Sequence, residues 1–216
     1  MIADCLAVIL AGGDSRRMGS DKARLLLGEQ SLLQHVASAL QTLFPQTLLS
    51  VRTPRPEIDL PQICDQYANS GPLAGIAAAL GHAQQQGIPW IFAVATDMPF
   101  LSPALIAGLA ARRAGADAVV PVVAGHPQPM AAFYALSALP VIQAQLQGDG
   151  KHSLRAALAC LQVTTVDEAE LRAADPELHS FFDLDTPQDL LRAREVLLSP
   201  ASASPPAAAQ NERCMD

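Results

Sequence analysis

The chain has 216 residues, half of them hydrophobic and only 4% aromatic, which favours helices packed on an aliphatic sheet over an aromatic-rich β-sandwich. This length supports one hydrophobic core and is short for two. The formal charge of −7 argues against a nucleic-acid-binding surface, although a small anionic substrate needs only a local cationic site.

The cysteines and the apolar segments indicate where the protein works. Cys5, Cys64, Cys160 and Cys214 show no C-x-x-C spacing and no histidines at metal-ligand intervals, so we do not expect a zinc site. No segment has the length of a membrane span, and no basic region precedes the apolar run at residues 5–11. We therefore expect a reduced, cytoplasmic protein that binds neither membrane nor nucleic acid.

Apolar runs alternate with helical patterns along the chain, which is typical of an α/β protein with a mostly parallel sheet between two helical layers. The predicted strands are residues 5–10, 47–51, 90–95, 118–123 and 131–134. The predicted helices are residues 31–43, 71–87, 102–113, a helix ending near 145, 153–161 and 186–198. This domain spans residues 1–198, and the composition of residues 199–216 predicts a disordered tail.

A glycine-rich loop follows the first predicted strand. Residues 10–22 read Leu-Ala-Gly-Gly-Asp-Ser-Arg-Arg-Met-Gly-Ser-Asp-Lys, which combines accessible backbone amides with the charges of Arg16, Arg17 and Lys22. A triphosphate needs both, because amides fix its geometry and cations neutralise it. The spacing fits neither a Walker loop nor a dinucleotide fingerprint. A simple bend after the strand remains the alternative.

Two acidic residues are candidate metal ligands. Asp97 follows an apolar strand, at the edge where open α/β sheets bind ligands, and Mg²⁺ requires only one or two carboxylates beside phosphate oxygens and water. Alternatively, Asp97 caps a helix that begins at Pro99 or Ser102. Asp185 precedes the last predicted helix, where an acidic residue is favourable without any metal.

Several motifs resemble one enzyme family. The pattern L-A-G-G-x-S-x-R-M-G-x-D-K-A resembles the signature of the molybdenum cofactor guanylyltransferases, and Gly12-Gly13 favours GTP because cytidylyltransferase relatives usually have Ala-Gly there. Further segments match in order over roughly residues 5–195, namely Asp65, residues 71–76, residues 96–99 and residues 182–190. In the last of them, Asp183 and Asp185 stand where the family has asparagine.

The resemblance implies a Rossmann-like fold of the nucleotide-diphospho-sugar transferase type and a Mg²⁺-dependent transfer of GMP from GTP to the terminal phosphate of molybdopterin. It implies nucleotide contacts at Leu10, Ala11, Gly12, Gly13, Lys22, Asp65, Gly71, Pro72, Leu73 and Asp97. It implies catalytic roles for Arg17, Lys22 and Asp97, and metal ligation by Asp97 and Asp185. It implies molybdopterin contacts at His126, Lys151 and Arg155.

Three other interpretations remain open. The chain could be a nucleotidyltransferase that uses CTP or a sugar phosphate, or a non-catalytic nucleotide-binding protein of molybdoenzyme maturation. His126 could instead be an ordinary loop histidine, and Lys151 could be a solvated surface lysine. Other cofactor-biosynthesis proteins or target molybdoenzymes are further candidate partners.

Overall fold

A mostly parallel eight-stranded sheet forms the centre of the structure. The computed structural model describes residues 1–11, 22–65, 67, 70–148 and 153–198. Its strands are β1 Cys5–Leu10, β2 Leu26–Leu27, β3 Gln30–Ser31, β4 Thr47–Val51, β5 Gln62–Cys64, β6 Trp90–Ala95, β7 Ala118–Val123, β8 His126–Pro127, β9 Ala131–Ala135 and β10 Val163–Val166. Its α-helices are α1 Leu32–Gln41, α2 Gly71–Gln85, α3 Pro103–Ala110, α4 Leu139–Gln147, α5 Leu154–Leu158, α6 Glu168–Ala174 and α7 Pro187–Leu198.

The strand order is β10-β7-β9-β6-β1-β4-β5, and β8 pairs with β7. Neighbouring strands are parallel except that β9 runs antiparallel to both β7 and β6, and the short β8 runs antiparallel to β7. This confirms the predicted mostly parallel sheet. In the register, Leu10 lies beside Ser50 of β4 and Ala95 of β6. The segments that follow β1, β4, β5 and β6 therefore emerge together, along what we call the carboxyl edge.

Helices cover both faces of the sheet, as the predicted three-layer arrangement requires. Because side chains alternate along a strand, Cys5, Ala7 and Ile9 pack on the side of α1 and α3, and Leu6, Val8 and Leu10 pack on the side of α2 and α4. All six residues of β1 are buried. The strand that leads to the glycine loop is thus held from both sides.

Helix starts follow local chemistry. At α1, the Gln34 amide donates to Ser31 Oγ at 3.2 Å and the Ser31 amide donates to Gln34 Oε1 at 2.7 Å, which is the predicted capping box. At α3, Ser102 Oγ accepts from the Leu105 amide at 3.3 Å. α3 ends at Ala110, earlier than predicted, and α5 is shorter than predicted at both ends.

A third hydrophobic cluster lies beside the main core. It joins the β2–β3 hairpin to α7 through the buried residues Leu27, Leu32, Leu184 and Ala193. This packing holds the segment before α7 against the residues that follow the glycine loop. No helix in the described residues is long and apolar enough to span a membrane. The predicted tail, residues 199–216, lies outside the described residues.

Candidate active site

The carboxyl edge is fixed by hydrogen bonds between strand ends. Thr96, directly after β6, donates its buried hydroxyl to the Leu10 carbonyl at 2.9 Å. The Ala11 amide donates to the Ser50 carbonyl at 3.0 Å, and the Asp65 amide donates to the Val51 carbonyl at 3.2 Å. The chain therefore leaves β1 toward the glycine loop from a fixed starting point.

Lys22 lies between two carboxylates from distant parts of the chain. Its Nζ donates to Asp97 Oδ2 at 2.8 Å and to Asp185 Oδ1 at 2.6 Å. The side chains of Lys22 and Asp97 are 19% and 22% exposed, whereas that of Asp185 is 52% exposed. We call these three residues the Lys22 cluster. It brings together three of the predicted site residues.

Two backbone contacts bring Asp185 to this position. The Leu184 amide donates to the Asp97 carbonyl at 3.1 Å, and the Leu184 side chain is fully buried in the third cluster. On the other side, Asp189 Oδ2 accepts from the Thr186 amide at 2.8 Å, from Thr186 Oγ1 at 2.8 Å and from the Asp185 amide at 3.2 Å. The turn before α7 is thus joined to both the strand end and the helix.

The charges of the cluster shift the pKa values of two side chains. Burial alone would lower the pKa of Lys22, but its hydrogen bonds to Asp185 and Asp97 outweigh that effect and raise the pKa of Lys22. Asp183 belongs to the same acidic surroundings. Although part of its side chain reaches solvent, lost hydration and then the charges of Asp97 and Asp185 raise the pKa of Asp183 to about 6. The site therefore has an excess of negative charge around one ammonium group.

The donor set of the cluster suits a divalent cation. Two carboxylates point at a common cation, and hard oxygen donors are the ligands that Mg²⁺ prefers. Among the described residues, no group of three or more His, Cys, Asp or Glu side chains forms a metal cage. A magnesium ion beside these two carboxylates would need phosphate oxygens and water as its further ligands.

The alternative role of Asp97 as a helix cap is not observed. Ser102 caps α3, and its own amide donates to Ser180 Oγ at 2.8 Å, while the Asp97 carboxylate contacts Lys22. The alternative for Asp185 is not contradicted, because Asp185 lies two residues before α7 begins at Pro187, although Thr186 and Asp189 make the hydrogen bonds there.

Asp65 and the start of α2 occupy the other end of the carboxyl edge. Asp65 follows β5, three strands from β6, which at usual strand spacing is roughly 14 Å. Lost hydration raises the pKa of Asp65, and the charge of Arg52 opposes that shift. α2 begins at Gly71, with Pro72 and Leu73 in its first turn, so its amino-terminal amides lie near this end. The edge is therefore long enough for an extended ligand between Asp65 and Lys22.

α2 approaches the site closely because of one glycine. A Cβ at Gly75 would lie 2.8 Å from Leu10 Cδ2 and 2.8 Å from Ser50 Oγ. Any larger residue would force Leu10, Ser50 or the helix to shift, so Gly75 permits the close packing of α2 on the ends of β1 and β4.

The residues predicted for the second substrate are less clearly assembled. His126 lies in β8 and Arg155 in α5, and both are exposed. Within the described part of the chain, neither contacts the Lys22 cluster. The segment after β8 does reach the carboxyl edge, because the Met130 carbonyl accepts from the Ala95 amide at 3.0 Å and Tyr134 donates to the Pro129 carbonyl at 2.7 Å.

Four predicted site residues cannot be placed. Gly12, Gly13 and Arg17 of the glycine loop, with Lys151, lie outside the described residues. Conversely, Thr96 and Asp189 hold the site together although neither was a predicted site residue. Thr96 begins the family-like segment 96–99, but its hydrogen bond to β1 was not predicted, whereas Thr186-Pro-Gln-Asp189 is a capping-box pattern that places an acid against the preceding turn.

Comparisons with known proteins agree with this geometry. The model of the MobA-like NTP transferase domain matches residues 7–166. A probable molybdenum cofactor guanylyltransferase from Pelotomaculum thermopropionicum is 37% identical over 190 residues, covering 87% of this chain and 90% of the relative. A molybdenum cofactor guanylyltransferase from Rhizobium leguminosarum bv. trifolii is 33% identical over 199 residues, covering 90% of this chain and 94% of the relative.

A solved structure is similar over nearly the whole domain. The crystal structure of molybdopterin-guanine dinucleotide biosynthesis protein A from Archaeoglobus fulgidus superposes with a TM-score of 0.78 at 30% identity, covering 89% of this chain and 98% of that one. The architecture is that of the nucleotide-diphospho-sugar transferase fold. The chain is a nucleotidyltransferase and belongs to the MobA-like NTP transferase family.

Proposed function

We propose that the chain transfers GMP from GTP to the terminal phosphate of molybdopterin, which forms molybdopterin guanine dinucleotide and releases pyrophosphate. An oxygen of the molybdopterin phosphate attacks the α-phosphorus, and the bond from that phosphorus to the oxygen bridging to the β-phosphate breaks. The observation that carries the proposal is the Lys22 cluster at the carboxyl edge, in a family whose relatives are named for this reaction.

The residues of the chain supply positioning and charge. The nucleophile is already an anion, so the reaction depends on alignment and neutralisation more than on a general base. The amides of Leu10 to Gly13 cradle the phosphates, and Arg17 contacts the departing pyrophosphate. Lys22 donates to both carboxylates, and in the reaction it exchanges these partners for phosphate oxygens of the nucleotide.

Asp97 and Asp185 would hold a magnesium ion, whose oxygen-ligand preference their carboxylates meet. When bound, Mg²⁺ would supply neutralisation of the charge on the phosphate oxygens. Both carboxylates contact Lys22, so their availability for this role depends on Lys22 pairing with the phosphates instead.

The base binds at the other end of the edge. Asp65 accepts hydrogen bonds from N1 and N2 of guanine, and the first turn of α2, residues 71–73, contacts the nucleoside. The raised pKa of Asp65 marks a carboxyl group that is poorly hydrated and that gains from hydrogen-bond donors on a ligand. In guanine the ring nitrogen beside the amino group carries a hydrogen, and in cytosine it does not. A carboxylate that accepts from both groups therefore favours GTP over CTP.

Molybdopterin binds on the side of β9. His126, Lys151 and Arg155 are its proposed contacts, with the segment before Ala131 that is joined to Ala95. Lys151 and Arg155 would meet the terminal phosphate. This side of β6 is opposite to the side that leads to Asp65, so the two substrates approach the Lys22 cluster from different directions.

A nucleotide-selectivity assay tests the proposal. Purified chain is incubated with Mg²⁺, each of the four nucleoside triphosphates in turn, and either molybdopterin or buffer, and pyrophosphate release is measured. We expect release only with GTP and molybdopterin together. Equal or greater release with CTP would establish a cytidylyltransferase, and nucleotide binding without release under any condition would establish a non-catalytic role.

A further inference from the structure

The carboxylate of Asp185 is not held by packing. Its side chain is 52% exposed, and its one ionic partner among the described residues is Lys22, the group that the proposed function requires to leave. An exposed acid that depends on a departing partner would swing into solvent. Something other than Lys22 must therefore keep Asp185 facing Asp97.

Asp189 provides that restraint. A helix capping box needs one reciprocal pair, here the Asp189 amide donating to Thr186 Oγ1 at 3.2 Å and the Thr186 amide donating to Asp189 Oδ2 at 2.8 Å. Asp189 Oδ2 accepts two more hydrogen bonds, from Thr186 Oγ1 at 2.8 Å and from the amide of Asp185 at 3.2 Å. The last of these contributes nothing to the capping pair and acts on the residue that faces Lys22.

The charge of Asp189 suits this task. Its Oδ2 atom faces three donors, namely the backbone amides of Asp185 and Thr186 and the Thr186 hydroxyl. Three donors on one carboxylate oxygen are stronger than three on a neutral amide. On the far side of the turn, Leu184 is fixed to the Asp97 carbonyl and buried. Asp185 is therefore held between two anchors.

We propose that Asp189 is a positioning residue of the transfer site: its carboxylate holds the Asp185 backbone so that the Asp185 carboxylate stays directed at the cation position beside Asp97. The proposal rests on the proposed function for the identity of the reaction, but the geometric claim is independent of it. Partners that orient metal ligands in this way typically contribute tenfold or more to metal affinity.

The test compares two aspartates that cap helices. Asp189→Ala removes the three hydrogen bonds, and Asp167→Ala is the matched control, because Asp167 accepts from the Glu170 amide at 2.9 Å at the start of α6, beyond β10 at the end of the sheet. Asp167→Ala loses the N-cap acceptor of α6 and Asp189→Ala loses the capping-box acceptor of the Thr186 amide, and both are expected to melt a few degrees lower. Asp189→Asn, which keeps one acceptor for Thr186, is the second variant if Asp189→Ala folds poorly.

Two readouts separate positioning from capping. In crystals grown with a non-hydrolysable GTP analogue, which draws Lys22 away, we expect the Asp185 carboxylate to face Asp97 in wild type and to be displaced toward solvent in Asp189→Ala. In the presence of GTP, the dissociation constant for Mn²⁺, measured by paramagnetic resonance, is expected to rise about tenfold in Asp189→Ala, less in Asp189→Asn, and not in Asp167→Ala.

Failure of the positioning role can be told apart from failure of the proposed function. An unmoved Asp185 in the crystal, or equal Mn²⁺ affinities in the Asp189→Ala and Asp167→Ala variants, would overturn the positioning role. If the wild-type chain transfers no GMP but Asp185 swings away in Asp189→Ala, the reaction assignment fails and the positioning role stands.

Discussion

Asp97 and Asp185 reach the same ammonium group from regions that are built differently. Asp97 follows β6, a strand paired on both sides, and its neighbour Thr96 is hydrogen bonded to β1. Asp185 lies in a turn on the surface, where its amide donates to Asp189 Oδ2 and its neighbour Leu184 is buried and donates to the Asp97 carbonyl. The sheet holds Asp97 in a largely buried position, whereas Asp185 is half exposed and is held through its backbone and its neighbour. We therefore expect the site to depend more on Asp97 than on Asp185.

The largest expected effect is that of Asp97→Asn. The substitution removes the carboxylate on the rigid side of the site, and the rate of GMP transfer is expected to fall about 10³-fold. Pyrophosphate release at saturating GTP measures it, with circular dichroism to verify the fold. A rate near that of wild type would show that the metal assignment to Asp97 is wrong.

Lys22→Met removes the cation that both regions share. GMP transfer is expected to fall about 10²-fold, because the phosphates lose their ammonium partner. Mn²⁺ without nucleotide is expected to bind about tenfold more tightly than to wild type, because the two carboxylates lose an internal competitor. Weaker Mn²⁺ binding in this variant would contradict the proposed exchange of partners.

Gly75→Ala tests how tightly α2 packs against the ends of β1 and β4. The new Cβ would meet Leu10 and Ser50 at 2.8 Å, and the overpacking is expected to lower the free energy of unfolding by about 1–3 kcal/mol. Gly81→Ala, in the same helix, meets nothing within 4 Å and is expected to stabilise by about 0.5–1 kcal/mol. Urea denaturation compares the two, and equal effects would show that α2 does not press on the strand ends.

Asp185→Asn makes, in the turn before α7, the same change that Asp97→Asn makes at the strand end. The amide oxygen still accepts from Lys22 and can still ligate a cation, so the rate of GMP transfer is expected to fall only about tenfold. The ratio between the two asparagine variants measures the difference between the regions. If Asp185→Asn loses as much activity as Asp97→Asn, the turn is as important as the strand end.

Asp183→Asn has the smallest expected effect, on stability rather than on activity. The folded state raises the pKa of Asp183 from 3.8 to about 6, so ionisation of the wild-type side chain reduces stability as the pH rises through that interval. In metal-free buffer, the melting temperature of Asp183→Asn should exceed that of wild type above pH 6. The difference should disappear below pH 3.8, and a difference that is constant over pH would contradict the shift.

The sheet was predictable where strands are long and apolar. The predicted strands 5–10, 47–51, 90–95 and 118–123 have the observed bounds, because buried strands of a parallel sheet are continuous apolar runs. β5 and β10 were not predicted, since Gln62–Cys64 is short and Val163–Val166 contains two threonines at the sheet end. The reversed direction of β9 is a tertiary property that no local pattern contains.

The site was predictable only as separate residues. Strand-then-acid and strand-then-glycine patterns selected Asp97 and the loop from residue 10 to Lys22. The contact between Lys22 and Asp185 joins residues 163 positions apart, and it depends on the packing of α7 against the β2–β3 hairpin. Asp189 was identified as part of a helix start, but its hydrogen bond to Asp185 required the folded turn.

The most direct test follows the phosphorus atoms of GTP through the reaction. The chain is incubated with Mg²⁺, molybdopterin and GTP labelled at the α- or the γ-phosphate, and the products are separated. The account predicts that the α-label enters a molybdopterin dinucleotide and that the γ-label appears in pyrophosphate, in equal amounts. Release of the γ-label as inorganic phosphate, or an α-label that never joins molybdopterin, would contradict it.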